Sequence, residues 1–122
     1  MDDLIFAYSR ADALDDGVLV DVSHAAREAG FVIPVAVTST VFATLVEVPA
    51  NIDGQDEEGR LWDILTCLRF AIRQAKTHQS RILFSVLVRN SQSRTNRHQL
   101  LSVCGPGDDG EPVITIMFPD EA

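Results

Sequence analysis

The chain has 122 residues, of which 46% are hydrophobic and 23% are charged, and it carries a formal net charge of −8. This length and composition predict a single domain over residues 1–122, and the negative charge disfavours direct binding to nucleic acid or to a membrane surface. No apolar run approaches the roughly 20 residues of a membrane-spanning helix, and no secretory signal is recognisable, so we expect a cytoplasmic protein with two reduced cysteines.

The N-terminal half predicts short elements separated by caps and glycines. In order, these are a helix capped by Ser9 with Asp12 and ended by Gly17, a brief strand over 18–22, a helix over 24–29 capped by Ser23 and ended by Gly30, and an extended stretch over 31–37. Thr38 offers a further helix cap. The apolar spacing over 41–46 fits a helix, although a strand is an alternative.

One long amphipathic helix is predicted after the polar interval 49–59. Its apolar stripe has the three-to-four spacing of a buried helical face and comprises Leu61, Ile64, Leu65, Leu68, Ile72 and Ala75. Acidic residues precede it and basic residues follow its last turn, which suits the helix dipole. Trp62 and Phe70 stand eight positions apart, where they would line a ligand pocket or pack in the core, and core packing is the favoured interpretation.

Three strands are predicted in the C-terminal part, over 81–88, 100–104 and 113–118. In the first strand, Leu83, Ser85 and Leu87 share the face opposite to Phe84 and Val86. The polar stretch 89–98 and a glycine-rich turn would join these strands as an antiparallel meander. We therefore predict an α+β fold, in which one long amphipathic helix covers a three-stranded antiparallel C-terminal meander and short helices occupy the N-terminal half.

Charge is unevenly distributed along the sequence. Residues 1–63 contain 13 acidic and 3 basic residues, a net of −10; residues 64–107 contain 7 basic and no acidic residues; residues 108–122 contain 5 acidic and no basic residues. These values sum to the net charge of −8. This separation of acidic and basic segments along the sequence favours contacts with a charged protein partner.

Arg89, Arg94, Arg97 and His98 are the candidate residues for an anion or partner contact, because they cluster with Ser, Gln and Asn donors in the predicted connection between two strands. The alternative is an ordinary solvated loop, whose charges balance the acidic remainder of the chain.

A dense turn sequence lies between the last two predicted strands, and its members are Gly105, Gly107, Asp108, Asp109 and Gly110. Its glycines could cradle a phosphate, but the neighbouring carboxylates would repel one. The spacing of a calcium loop is also absent, so a plain hairpin turn is favoured. His98 and Cys104 are six residues apart in sequence, which does not bring them together. We therefore predict no catalytic residues, no metal site and no cofactor.

Three stretches, over 7–22, 59–63 and 104–117, resemble a bacterial family of small proteins of unknown function that are often carried on plasmids and integrative elements. The resemblance extends over nearly the whole chain, and the stretch 104–117 is its most specific part. It implies a mobile-element or accessory setting in a bacterial cytoplasm. It carries no catalytic assignment for any residue.

The function predicted from these observations is that of a non-enzymatic accessory protein of a bacterial mobile element. It would bind a host or element-encoded protein partner, through an acidic surface that interferes with a nucleic-acid-handling or defence system. The alternative is a small enzyme or an anion-binding domain that uses the 89–98 loop and the 105–111 turn. The sequence determines neither the partner nor the oligomeric state.

Overall fold

The computed structural model describes residues 8–91 and 94–122, and within them five strands form one mixed sheet in the order β1-β2-β5-β4-β3. The strands are β1 (Leu19–Asp21), β2 (Val35–Thr38), β3 (Arg81–Arg89), β4 (Thr95–Pro106) and β5 (Pro112–Met117). The α-helices are α1 (Arg10–Asp15), α2 (Ser23–Glu28), α3 (Ser39–Val41) and α4 (Glu57–Gln74), with a π-helix at Phe42–Val46 and a 3-10 turn at Pro119–Glu121. No helix among the described residues is long and apolar enough to cross a bilayer.

The α+β class is confirmed, but the predicted three-stranded meander covered by one helix is wrong. Strands β3, β4 and β5 are antiparallel neighbours within a larger sheet, and the N-terminal half contributes β1 and β2 to it. Strand β2 runs parallel to β5, with Val35 opposite Ile114 and Val37 opposite Ile116. Parallel pairing requires a long crossover, and here the crossover includes α3, α4, β3 and β4.

Helix α4 lies in the middle of the chain and packs against β3, and it shares its face of the sheet with α2 and the π-helix. Three of its side chains, Ile64, Leu65 and Leu68, are fully buried. They belong to one core cluster with residues of every strand except β1, including Phe84, Leu100, Ile116 and Val35. The helix is therefore one part of a helical layer, and the apolar surface of four strands faces that layer.

Helix caps account for most of the boundaries in the N-terminal half. Ser9 and Asp12 form the expected capping box of α1, and Gly17 takes a positive φ of 77° after the helix ends. The predicted cap at Ser23 is wrong, because α2 starts at this residue and Val22 is its cap. The Ser23 hydroxyl instead accepts a hydrogen bond from the Val35 amide at 3.0 Å, which ties α2 to the sheet.

Candidate functional site

Strand β3 forms one edge of the sheet, and among the described residues only β4 pairs with it. The ladder between them runs without a bulge from the Arg81–Val103 pair to the Arg89–Thr95 pair. The strand contains no proline and no lysine over its nine residues. Proline, lysine and bulges are the usual means by which proteins block exposed edges, so β3 is open to a further strand.

The backbone groups of β3 point alternately towards β4 and towards the open side of the strand. The Cys104 amide donates to the Ser80 carbonyl at 2.7 Å, so the even-numbered residues of this strand direct their N–H and C=O groups towards β4. The odd-numbered residues, including Leu83, Ser85 and Leu87, direct theirs to the open side. The carbonyl of Arg89 follows this rule, since it accepts a hydrogen bond from the Arg60 guanidinium outside the sheet.

Large apolar side chains flank this open edge. Leu83 is 56% exposed and Leu87 is 67% exposed, both on the sheet face opposite to the helices. On α4, Trp62 is 46% exposed and Phe70 is 65% exposed. The expectation that these two aromatics pack in the core is therefore wrong.

Three open depressions of about 600, 650 and 520 Å³ lie side by side between α4 and β3. The middle one shares Asp63 and Leu87 with the first, and Cys67 and Arg97 with the second. We call this continuous feature, together with the open backbone of β3, the edge groove. It offers an elongated space with a mixed polar and apolar lining beside an unpaired strand, which is the geometry of β-strand addition.

The polar groups of the edge groove have mixed charge. Asp63 and Arg97 line its middle, and Arg60 and Arg89 line one end. Cys67 is the thiol of the groove, and burial, with a smaller effect from Asp63, raises its pKa. The thiol is therefore protonated near neutral pH, which does not suit a nucleophile.

Arg60 anchors the end of the groove where three segments meet. Its side chain is only 6% exposed and donates to the Gln55 side chain at 2.8 Å and to the Glu47 carbonyl at 2.9 Å, in addition to the Arg89 carbonyl. Burial lowers the pKa of Arg60, yet a guanidinium remains charged in proteins. This residue was not predicted as functional from the sequence, because arginine in the first turn of a helix normally lies at the surface.

The four predicted contact residues do not form one cluster. Arg89 ends β3, and its Nε donates to the Ser91 carbonyl at 3.2 Å. Arg94 precedes β4, whereas Arg97 and His98 lie within β4, opposite Leu87 and Val86. Successive strand residues point to opposite faces, so Arg97 and His98 are separated by the sheet. Of the four, Arg89 and Arg97 line the edge groove.

The predicted turn residues lie at the C-terminal end of β4, away from the connection between β3 and β4. This strand of twelve residues places the turn roughly 35 Å from the β3–β4 connection, so the two segments do not converge on one site. Gly110 has a positive φ of 84° in the turn. The Asp108 carboxylate accepts hydrogen bonds from the backbone amides of Arg10 at 2.7 Å and Ala11 at 2.9 Å. Asp108 therefore holds the start of α1 against the sheet.

These two hydrogen bonds lower the pKa of Asp108 below its ordinary value of 3.8. A lowered carboxyl pKa in the folded state stabilises the fold above the ordinary value, and this contribution disappears as pH falls through the lowered one. We expect the NMR shifts of the Arg10 and Ala11 amides to titrate together with a midpoint below 3.8. Asp108→Ala should abolish this titration while Asp109→Ala preserves it, and a midpoint above 3.8 would contradict the assignment.

The structure does not gather the elements of a reactive centre at His98 and Cys104. Six residues along a strand separate them by about 20 Å. In residues 8–91 and 94–122, no group of three or more His, Cys, Asp or Glu side chains is arranged to hold a metal ion. Both cysteines in this part of the chain are free thiols.

Comparison with known proteins gives a family without an assigned activity. No curated protein and no solved structure matches the chain. A family model does match it, over residues 1–122. The chain therefore belongs to the family of unknown function DUF6573.

Proposed function

We propose that this protein is a non-enzymatic protein-interaction domain that binds an extended strand along its edge groove. The observation that supports this most directly is the nine-residue edge strand β3, which presents outward-facing backbone groups between Leu83 and Leu87. A bound strand would continue the sheet by main-chain hydrogen bonds, and its alternate side chains would contact the exposed leucines.

The aromatic side chains of α4 add to this surface on the other side of the strand. Trp62 lines the first depression and Phe70 the second, so that a bound strand would have apolar contacts along most of β3. Aromatic residues are the side chains that most often dominate binding energy at protein interfaces. The central segment 64–107 carries only basic charge, but the groove itself contains both signs, which favours a strand of mixed composition over a polyanion.

The proposal includes the setting that the family resemblance implies. There the protein would be an accessory protein of a bacterial mobile element, and its partner would be a host or element-encoded protein of nucleic-acid handling or defence. Exposed carboxylates over 56–58, next to the groove, provide acidic surface for such a partner.

Selection from a peptide library against the immobilised protein tests the binding mode. We expect the enriched peptides to alternate apolar and polar residues, as strands do, and to lose at least about tenfold in affinity for Leu87→Lys, which places a charge against the apolar face. Val32→Lys is the matched control, because Val32 is 94% exposed and lies outside the groove. Enriched peptides without alternation, or equal binding by both variants, would refute strand addition.

A further inference from the structure

We propose that the edge groove takes a second copy of this chain, joined β3 to β3 in antiparallel fashion about a two-fold axis through Ser85. This inference rests on the proposed function, because it uses the same groove, and it goes beyond it by adding self-pairing to the binding of another protein. The two five-stranded sheets would become one ten-stranded sheet, with helix α4 of each copy beside the junction on the same face.

The exposed apolar side chains are arranged symmetrically, as a two-fold interface requires. Leu83 and Leu87 stand two residues on either side of Ser85, and Trp62 and Phe70 stand four residues on either side of Thr66. Ser85 and Thr66 both line the middle depression, so the centres of the two rows coincide. A two-fold rotation places Leu83 against Leu87 of the second copy, and Trp62 towards Phe70 of the second copy.

The backbone supports the same register. Because Ser85 directs its N–H and C=O groups to the open side, the two Ser85 residues would exchange hydrogen bonds at the axis. The Leu83–Leu87 pairs on either side would do the same, giving about six new backbone hydrogen bonds. A slip by two residues would put a leucine opposite Ser85 and would leave the apolar rows unmatched.

The size of the surface predicts a moderate affinity. Nine strand residues extend about 30 Å, and the strand together with the side of α4 is roughly 20 Å wide. Such a strip buries about 1,200 Å² in total, at the boundary between transient and stable interfaces. We therefore expect dissociation in the micromolar range.

The charges at the interface predict how self-association depends on salt concentration. The proposed register places Arg81 opposite Arg89 of the second copy at both ends of the ladder, and each chain carries a net charge of −8. Both repulsions are screened by salt, so self-association should tighten as ionic strength rises. An acidic partner attracted to the arginines would show the opposite dependence.

Sedimentation velocity between about 1 and 500 µM, in 50 mM and 500 mM NaCl, tests the proposal. We expect a reversible monomer–dimer equilibrium that strengthens at the higher salt, that Leu87→Lys abolishes and that Val32→Lys preserves. Ser85→Pro provides a second variant, because it removes an amide that points away from β4 and so leaves the ladder within the chain intact.

Cross-linking gives a direct readout of the register. Ser85→Cys would place two thiols on the axis, with their Cα atoms about 5.5 Å apart. Mild oxidation should then give a covalent dimer. It should form faster than with the control variant Ser39→Cys, which changes an exposed serine. Equal rates, or a monomer at every concentration and both salts, would overturn self-pairing. If the protein stayed monomeric but still bound library peptides that the Leu87→Lys variant does not bind, strand addition would stand without self-pairing. If the protein neither dimerised nor bound such peptides, both proposals would fail.

Discussion

Replacement of Arg60 by alanine is expected to lower the free energy of unfolding by about 3 kcal/mol. The guanidinium is almost fully buried and donates to the backbone carbonyls of Glu47 and Arg89 and to the side chain of Gln55. Hydrogen bonds from a charged donor contribute about 1.5 to 3 kcal/mol each, and the alanine variant would lose all three of these bonds at a part-buried position. The cost is large because one side chain joins the ends of the π-helix and β3 to the start of α4.

Urea denaturation followed by circular dichroism measures this effect. Arg60→Lys should recover only a small part of it, since a single ammonium cannot reproduce the planar donor geometry that reaches three acceptors. Arg73→Ala, an exposed position on the same helix, should change the stability by no more than about 0.5 kcal/mol. A decrease in the free energy of unfolding of less than about 1 kcal/mol for Arg60→Ala would show that water replaces the hydrogen bonds of the guanidinium.

Local features of the fold were predictable because their signals lie within a few residues. The cap at Ser9, the end of the first helix before Gly17, the positive φ at Gly30 and the cap at Thr38 all follow from short-range backbone chemistry. The buried stripe of α4 and the alternation along β3 follow from simple periodicities. The structure confirms the caps and the alternation along β3. Of the predicted stripe it buries Ile64, Leu65 and Leu68, whereas Ile72 is 39% exposed.

The sheet was not predictable from local pattern. Strand β1 has three residues and β2 has four, which is too short for a periodicity of two to be distinguished from any apolar run. The pairing of β2 with β5 joins residues about 80 positions apart, and no local turn sequence indicates a parallel pairing of this kind. The three-stranded prediction failed for this reason.

The candidate site was partly visible in the sequence. Phe70 stands two residues after Leu68 and lies nearly opposite the buried stripe on the helix, whereas Trp62, three residues before Leu65, lies at the margin of the stripe. For Phe70, this spacing could have indicated exposure. That Leu83 and Leu87 belong to an open edge could not have been predicted, since the order of strands determines it.

Val37→Asp is expected to prevent folding, and this outcome tests the corrected topology. Val37 has no exposed surface and lies on a strand flanked by β1 and β5, where its partners are Val20 and Ile116. An unpaired carboxylate at such a site costs several kcal/mol even after its pKa rises. A small domain has only about 5 to 15 kcal/mol of stability in total, so most molecules would be unfolded at 25 °C.

Val32→Asp is the matched control, because it makes the same change five residues earlier at a side chain that is 94% exposed. Circular dichroism and the dispersion of amide signals should show a native fold for Val32→Asp and a disordered chain for Val37→Asp. If residues 31–37 were a surface segment outside the sheet, as a three-stranded meander requires, both variants would fold with similar melting temperatures. The contrast between the two therefore reports on whether Val37 is buried, as an interior strand requires and a surface segment does not.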